Sequence, residues 1–373
     1  MTYVIVCFWL LGFIFFWHIP RLKKGPNGPY YNARVSVIIP ARNEEKNLAR
    51  LLESIDRQIV RPDEVIVVND QSEDATAEIG QKYGHKVITA RTPDKGWLGK
   101  PWSCWLGANA AFHDILIFLD ADTFLEPEAV SMLLSTFLEK EGLLTVQPYH
   151  MIEKNYERLS AVFNIIAMAG LNAFTPLKRR IKPAGAFGPL MMCRKDHYFE
   201  VGGHKIAKNS VLESIPLGRA FMAAGLEVHC YGGKETISYR MYPEGIRSLI
   251  EGFSKGFARG ANAISTSVLI MLVCWIFGGI SLTRHLIQSF VTGDINEIMT
   301  WLMIDVLYAA QIHWMLFRIG NFGVRTASFF QIPLIFFAVI FFISVLKTFV
   351  IRQVRWKGRV VATKNFRKKS SCD

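Results

Sequence analysis

Two aspartates end a short apolar run in this chain, which reads Ile115-Leu-Ile-Phe-Leu119 and then Asp120-Ala-Asp122-Thr123. An apolar run with β-branched and aromatic residues is typical of a buried strand, and open α/β sheets bind ligands at the carboxyl ends of their strands. Carboxylates spaced i, i+2 offer two oxygens to a hard divalent cation and leave positions for phosphate oxygens. The pattern predicts a site for a metal and a diphosphate. The alternative is a helix N-cap before residues 126–128.

Polar segments also follow two earlier predicted strands. Pro40-Ala-Arg-Asn-Glu-Glu45 follows residues 35–39, and Asn69-Asp70-Gln-Ser-Glu-Asp74 follows residues 64–68. Each segment alone could be a turn, since Asn, Asp and Ser form turns in their own right. Three such segments at successive strand ends would lie along one edge of a sheet, and this indicates a shared site.

Strands and helices alternate between residues 33 and 262. Strands are predicted at 35–39, 64–68, 87–89 and 115–119, and helices at 44–55 and 74–83. The alternation predicts an α/β fold with a mostly parallel sheet and helices on both faces. Because no G-x-G-x-x-G follows the first strand, the phosphate loop of a dinucleotide-binding fold is absent.

The two ends of the chain are apolar and basic. Apolar residues make up 51% of the 373 residues, and the net charge is +12. Positive charge follows the apolar run at residues 3–19 rather than preceding it, which predicts an uncleaved membrane anchor over residues 1–20. Further apolar stretches near 264–282, 298–317 and 328–350 approach the ~20 residues that span a bilayer. We therefore predict a transmembrane region over residues 263–350.

The positive charges predict how the chain is oriented. The positive-inside rule places residue 21 onward, and the basic tail at 351–373, in the cytoplasm, giving a multi-pass protein of the cell membrane. One anchor plus three spans would instead put the tail outside. Either one stretch is interfacial or re-entrant, or the 264–292 region makes more than one pass around Arg284 and His285. Basic clusters beside apolar segments indicate contact with anionic lipids rather than nucleic acid.

Three motifs together resemble the core of glycosyltransferase family 2, whose members have the GT-A fold. The motifs are Ile38-Ile-Pro-Ala-Arg-Asn-Glu-Glu45, Val67-Val-Asn-Asp-Gln-Ser72 and Phe118-Leu-Asp-Ala-Asp-Thr123. A longer set is similar to membrane enzymes of this family that glucosylate carotenoic acids. That set is Asp94-Lys-Gly-Trp-Leu-Gly-Lys100, Gln147-Pro-Tyr-His150, Ala186-Phe-Gly-Pro189, Gly202-Gly-His204, Arg240-Met-Tyr-Pro243, Glu251-Gly-Phe-Ser-Lys255 and Val354-Arg-Trp-Lys-Gly-Arg359.

The resemblance implies a GT-A catalytic domain over residues 33–262 and a definite reaction. A hexose, most simply glucose, would pass from a UDP-sugar to the carboxylate of a carotenoic acid, giving a glycosyl ester, with Mg²⁺ or Mn²⁺ as the cofactor. The implied partners are membrane lipids, a lipophilic acceptor and other enzymes of a carotenoid pathway. Transfer to a lipid hydroxyl of a diacylglycerol, sphingolipid or hopanoid is the alternative reaction. A non-catalytic membrane scaffold is the alternative from another class.

The resemblance also assigns residues to the donor. Asp70 would hydrogen-bond the uracil, and Ala41 and Glu44 would line the uridine pocket. Asp120 and Asp122 would bind the ribose and the metal that bridges the diphosphate, with Asp122 counted as catalytic.

Three cations are assigned to the diphosphate. Lys95 and Lys100, on a Gly-rich loop, could move onto it, or they could form a solvated pair. Arg240 could contact it later, or it could anchor a juxtamembrane helix.

The expected catalytic base departs from the family pattern. Many members carry Glu-Asp before an apolar helix, whereas this chain has Glu213-Ser214. A carboxylic acid acceptor is already ionised at neutral pH and needs no base, so the missing Asp fits a carotenoic acid. Glu213 would then position a substrate, or it is the family's base in a shifted register. For acceptor delivery, residues 253–259 are a candidate interfacial helix, and residues 163–171 are either interfacial or a buried core helix.

Overall fold

The computed structural model describes residues 1–24, 33–261, 264–346, 353–356 and 359–362. The helices are α1 (Thr2–Phe15), α2 (Glu45–Asp56), α3 (Thr76–Lys82), α4 (Gly99–Ala110), α5 (Ala129–Glu139), α6 (Ala161–Gly170), α7 (Lys195–Glu200), α8 (Ser214–Ala223), α9 (Ile246–Ala261), α10 (Thr266–Thr292), α11 (Ile295–Ile319), α12 (Val324–Ser328) and α13 (Gln331–Val345). The strands are β1 (Val35–Ala41), β2 (Glu64–Asn69), β3 (Lys86–Thr89), β4 (Ile115–Leu119), β5 (Thr123–Leu125), β6 (Leu143–Gln147), β7 (Tyr149–His150), β8 (Leu190–Arg194), β9 (Val228–Gly232), β10 (Ile237–Tyr239), β11 (Gln353–Trp356) and β12 (Arg359–Ala362).

A seven-stranded sheet in the order β3-β2-β1-β4-β8-β6-β9 forms the centre of the catalytic part. All four strands predicted from the sequence are present. The sheet is parallel except for β8, which runs antiparallel to β4 and β6. The apolar runs of β1, β2 and β4 are buried because separate clusters of apolar side chains cover each face. The expectation of a mostly parallel α/β sheet is therefore confirmed.

Strand β1 runs through Pro40, where the sequence predicted its end. Pro40 has no N–H to donate, so it is rare in the interior of a sheet. Here the pairing of β1 with β4 ends at Ile38, and only the pairing with β2 continues to Ala41. Pro40 therefore lies beyond Ile38, the last residue of β1 that pairs with strands on both sides.

Helix α6 is buried along almost its whole length and joins the catalytic part to the apolar helices. Phe163 is fully buried, and its ring stacks on that of Phe253 in α9 at 4.1 Å between centroids. It also contacts Phe337 of α13 at 4.9 Å. Of the two alternatives for residues 163–171, the buried core helix is correct. Residues 253–259 lie within α9, although the side chains from 255 onward lie outside the described residues.

Two helices, α10 with 27 residues and α11 with 25, are long and apolar enough to cross a membrane. The 264–292 region is thus one continuous helix after residue 266, and the idea of several passes around Arg284 is wrong. Helix α1 has only 14 residues, about 21 Å, and is shorter than a bilayer core. It packs mainly against α10 and is hydrogen-bonded to α11, where the Trp9 indole donates to Leu307 O at 3.1 Å and Gln311 donates to Trp9 O at 2.7 Å.

The third apolar stretch forms the single helix α13, which leads back toward the catalytic part. After α11 ends, α12 and the following turn lead to Gln331, which donates to Asp305 in the middle of α11 at 2.6 Å. Helix α13 then returns to Phe163 and α9 on the catalytic side. Both α12, through Thr326 and Arg158, and α13, through α9, contact the catalytic part, an arrangement expected of the re-entrant alternative. In the predicted tail, only the hairpin of β11 and β12 belongs to the described residues.

Candidate active site

Asp70 lies at the end of β2 and is buried, with 5% of its surface exposed. Its backbone N–H donates to Ala41 O at the end of β1, at 2.8 Å. The Arg42 guanidinium lies 3.7 Å from its carboxylate and donates to its carbonyl at 3.3 Å. The N-terminal residue of α4, Gly99, also lies against the carboxylate. The predicted uracil ligand therefore faces the start of α4 at the sheet edge, beside Ala41.

The turns after β1 and β2 hold one another. Asn43 and Gln71 both adopt left-handed backbone conformations, at φ 51° and 54°. Asn43 N–H donates to Ser72 Oγ at 3.0 Å, and Asn43 Oδ1 accepts from Glu73 N–H at 2.9 Å. The predicted pocket residue Glu44 is fixed by the same network, because its N–H donates to Thr76 Oγ1 at 2.9 Å. Turn chemistry is thus present, and it makes a rigid rim for the cleft.

Asp120 and Asp122 form a tight turn between β4 and β5. Asp120 O accepts from the Thr123 N–H at 3.2 Å and from its hydroxyl at 2.7 Å. The next helix, α5, begins six residues later at Ala129 and has Glu128 at its N-cap, without a side-chain cap bond. The helix-cap alternative for the two aspartates is therefore wrong.

Lys100 connects the two predicted halves of the site. It lies in the first turn of α4, rather than on the loop, and its Nζ is 2.7 Å from Asp120 Oδ1 and 2.7 Å from Glu213 Oε1. Burial alone would lower the pKa of Lys100, but the two carboxylates outweigh it and raise that pKa well above its usual value. The ammonium therefore stays charged and holds the strand-end aspartate and Glu213 together.

Glu213 is held at the site by α8 and by the Ala186-Phe-Gly-Pro189 loop. It is the N-cap residue of α8 and is 4% exposed. A side chain added at Gly188 would lie about 3.5 Å from both Glu213 Oε1 and Ser214 Oγ. The same loop accepts from Asp120 N–H through Pro189 O at 2.9 Å. One loop thus supports the carboxylates on both sides of Lys100.

The two remaining predicted cations lie apart from Lys100. Lys95 is exposed on the loop before α4. Arg240 follows β10, whose register pairs Tyr239 with Thr123, so its backbone comes close to Asp122. Its guanidinium contacts Glu153 at 2.6 Å and the buried Glu157 at 2.7 Å. Roles of Lys95 and Arg240 on a diphosphate stay predictions.

Asp120 and Asp122 fit a divalent cation that takes its remaining ligands from a bound phosphate group and water. No cluster of three or more His, Cys, Asp or Glu side chains suited to a metal occurs in the described part of the chain. Asp120 and Asp122 would therefore supply two oxygens, and phosphate oxygens and water the rest. In this structure the Lys100 ammonium lies against Asp120, which shows that the carboxylate faces a position that accepts a cation.

Sequence reasoning missed the tyrosines beside Asp122 and the part played by Arg42. The negative charge of Asp122 adds to burial in raising the pKa of Tyr239 and of Tyr242, so both stay neutral. Tyr242 has a left-handed backbone, at φ 55°, which is unusual for a bulky residue. Arg42 lies in the motif at residues 38–45, and Tyr242 lies in the motif at residues 240–243. Membership of these motifs was the only sequence signal for a role in the site.

A Gly99→Ala substitution is expected to weaken donor binding. The added methyl would overlap Asp70 Oδ2, so the carboxylate must move from its place at the cleft. We expect the KM for the nucleotide-sugar donor to rise by about tenfold, with a smaller change in kcat. Steady-state kinetics of the Asp70→Asn variant, and of the Gly99→Ala/Asp70→Asn double variant, supply the control. Because both changes act through one carboxylate, the double variant should lose little more than Asp70→Asn alone. Additive losses would contradict this account.

Comparison with known proteins identifies the family. The model of Glycosyl transferase family 2 matches residues 36–201. A "4,4'-diaponeurosporenoate glycosyltransferase" of Staphylococcus haemolyticus is 36% identical over 335 residues, covering 88% of this chain and 89% of that protein. The protein of the same name from Staphylococcus aureus strain USA300 is 36% identical over 329 residues, covering 87% of each.

A solved structure confirms the fold. A mannosyltransferase from Pyrobaculum calidifontis, in complex with GDP-Man and Mn²⁺, superposes with a TM-score of 0.55 at 13% identity. The match covers 91% of this chain and 97% of that one, so it includes the apolar helices as well as the sheet. The fold is GT-A-like, as the motifs implied, and the chain belongs to glycosyltransferase family 2.

Proposed function

We propose that this protein transfers a hexose from a UDP-sugar to the carboxylate of a carotenoic acid in the membrane. The observation that carries the proposal is the position of Lys100, 2.7 Å from both Asp120 and Glu213. One lysine therefore contacts both Asp120, on the predicted diphosphate side, and Glu213, on the predicted acceptor side. The names of the 36%-identical relatives support a carotenoic acid as the acceptor.

The reaction is a single displacement at the anomeric carbon. A carboxylate oxygen of the acceptor forms the new bond, and the bond between that carbon and the UDP oxygen breaks, with UDP taking the electron pair. Asp120 and Asp122 would hold a divalent cation, which would supply Lewis-acid stabilisation of the leaving diphosphate. Asp70 and Ala41 hold the nucleoside, and Lys100 adds positive charge beside Asp120.

The state of Glu213 favours an acceptor that arrives ionised. Glu213 Oε1 lies 2.7 Å from the Lys100 ammonium, so this oxygen is engaged with a cation rather than with an acceptor hydroxyl. A carboxylic acid, with a pKa near 4, has already lost its proton at neutral pH. Glu213 therefore positions Lys100 and the acceptor, and the Asp that other members carry is dispensable.

A Glu213→Gln substitution distinguishes this role from that of a general base. Turnover on a C30 carotenoic acid should fall less than about fivefold, whereas turnover on the corresponding alcohol should fall about a hundredfold or more. Both rates are measured on purified protein by mass analysis of the products. Ser214→Ala, at the neighbouring position, is the matched control and should affect both acceptors equally. Large and equal losses for Glu213→Gln on the two acceptors would refute the positioning role.

Transfer to a lipid hydroxyl is the alternative, favoured only by the presence of a buried carboxylate at Glu213. It requires Lys100 to leave Glu213 so that the carboxylate can accept a proton. A non-catalytic scaffold would release no UDP at all. Assays of UDP release with diacylglycerol, with a carotenoic acid and with no acceptor separate these three cases.

We also propose a membrane topology. Helices α10 and α11 cross the bilayer, α12 and α13 form a re-entrant hairpin, and the catalytic part and the basic tail both face the cytoplasm. The exposed apolar side chains along these helices support lipid contact; they include Ile270, Val273, Phe277, Met303, Val306, Ile335, Val339 and Phe342. The return of α13 to the catalytic side explains how a basic tail stays inside.

Epitope accessibility tests this topology. An epitope inserted between Gly293 and Asp294, in the turn joining α10 and α11, should bind antibody on intact cells. The same epitope at the C-terminus should bind only after permeabilisation. Labelling of both epitopes on intact cells would mean that α13 crosses the bilayer.

A further inference from the structure

A cavity of about 230 Å³ lies where the catalytic part meets the start of α10. Its walls come from the end of α6, the segment around residue 183, α8 and the residues just before α10. Lys182 and Arg219 bring positive charge to it, and Asn172, Ile264 and Ser265 complete most of the wall. None of the residues assigned to the donor or to catalysis lines this cavity.

Two cationic side chains line the cavity. One of them is Lys182, the last residue of the sequence Lys178-Arg-Arg-Ile-Lys182. Arg219 approaches from α8, where its Nε donates to Ala184 O at 2.8 Å. That bond fixes one edge of the guanidinium. Charge of this kind, next to an apolar helix, suits a phosphate group.

The segment that carries Lys182 is held in place. Asn172, whose backbone is left-handed at φ 59°, donates from its buried side-chain amide to Ile181 O at 2.6 Å. The Ala184 N–H donates to Leu171 O at 2.9 Å. One side-chain and one backbone hydrogen bond therefore tie the residues on both sides of Lys182 to the segment that follows α6, and the cavity is preformed.

Apolar surface begins directly beyond the cavity along α10. Ser265 is the N-cap of α10, and its hydroxyl accepts from Val268 N–H. Ile270, Val273 and Phe277 follow at spacings of three and four, so they share one helix face, and each is more than half exposed. The first of them lies about 8 Å along the axis from Ser265. A ligand with an anionic head and an apolar tail would match both the basic cavity and the apolar face of α10. Free phosphate would match the cavity alone.

We propose that this cavity, between Lys182 and Arg219, binds the phosphate of an anionic membrane lipid whose chains lie along α10. The proposal does not depend on which acceptor the enzyme uses. The bound lipid would fix the catalytic part at the membrane surface and make the enzyme select anionic bilayers.

Titration of the full-length protein in neutral detergent micelles tests the proposal. Phosphatidylglycerol, phosphatidylcholine and inorganic phosphate are added separately, and bound lipid is counted by native mass spectrometry. We expect tight binding of phosphatidylglycerol alone. Each lost cation should weaken it about fivefold, and a Lys182→Gln/Arg219→Gln double variant roughly thirtyfold. The exposed pair Arg61→Gln/Lys82→Gln, in the catalytic part, removes the same charge and should change nothing.

Charge-conserving variants keep the result interpretable if the double variant folds poorly. Lys182→Arg and Arg219→Lys should each bind phosphatidylglycerol within about threefold of the parent, since both keep a cation at the cavity. Equal binding of phosphatidylglycerol and phosphatidylcholine would overturn the proposal. Equal weakening by the control pair would do the same. Inorganic phosphate that displaces the lipid at equal concentration would show a free-phosphate site instead.

Discussion

Replacing Asp122 with Asn is expected to reduce kcat/KM for hexosyl transfer by about a thousandfold or more. Asp122 lies in the turn after β4, next to the Asp120 carboxylate that already faces a cation. An amide keeps the size of the side chain but removes the negative charge that a divalent cation needs. Stabilisation of the leaving diphosphate should therefore be lost, while the fold persists.

UDP release by purified protein, with and without acceptor, measures this effect. Glu126→Gln is the matched control, since it makes the same chemical change four residues later at an exposed position. It should leave the rate within about twofold of the parent, in line with ordinary surface substitutions. Retention of more than a tenth of the parent rate by Asp122→Asn would mean that the two aspartates do not hold the metal.

Replacing Lys100 with Met is expected to damage both stability and activity. The substitution removes the only cation recorded within 4 Å of Glu213 among the described residues, and it leaves that carboxylate buried. Breaking a fully buried pair costs about 3–5 kcal/mol, and the partial exposure of Lys100 reduces this. We expect a fall of several degrees in melting temperature and a loss of about a hundredfold in kcat/KM.

A second substitution separates the two effects. In the Lys100→Met background, Glu213→Gln removes the unpaired charge and should recover most of the lost melting temperature without recovering activity. Lys86→Met serves as the control, because Lys86 pairs with Glu64 at 3.3 Å far from the cleft. Full recovery of activity in the double variant would show that Lys100 only balances the charge of Glu213.

The placement of the strand-end aspartates was predictable from sequence because it follows from local patterns. Buried runs such as residues 115–119 fix strands, and parallel strands end at the same edge, so Asp70 and Asp120 had to lie near one another. The structure gives β2, β1 and β4 as neighbours, as that argument requires. The short β6, β8 and β9 gave weaker signals, since their apolar runs are equally compatible with helices.

The acceptor side was not predictable, because it depends on long-range packing. Lys100 and Glu213 are far apart in sequence, and only the packing of α4, α8 and the 186–189 loop brings them together. The sequence suggested a loop for Lys100, since Gly96, Gly99 and Pro101 lie around it. Tertiary contacts nevertheless make this segment helical. Counting apolar residues likewise could not predict where the third apolar stretch packs, because its contacts with Asp305 and Phe163 are long-range.

The most direct test of the central claim is the mass of the pigment made in living cells. The protein is co-expressed with enzymes that produce a C30 carotenoic acid, and the extracted pigments are analysed by mass spectrometry. We predict a product heavier by one hexose that alkaline hydrolysis returns to the free acid, as expected for an ester. The product should be absent with Asp122→Asn. A pigment of unchanged mass, while another membrane lipid gains the hexose, would contradict the carotenoic acid acceptor.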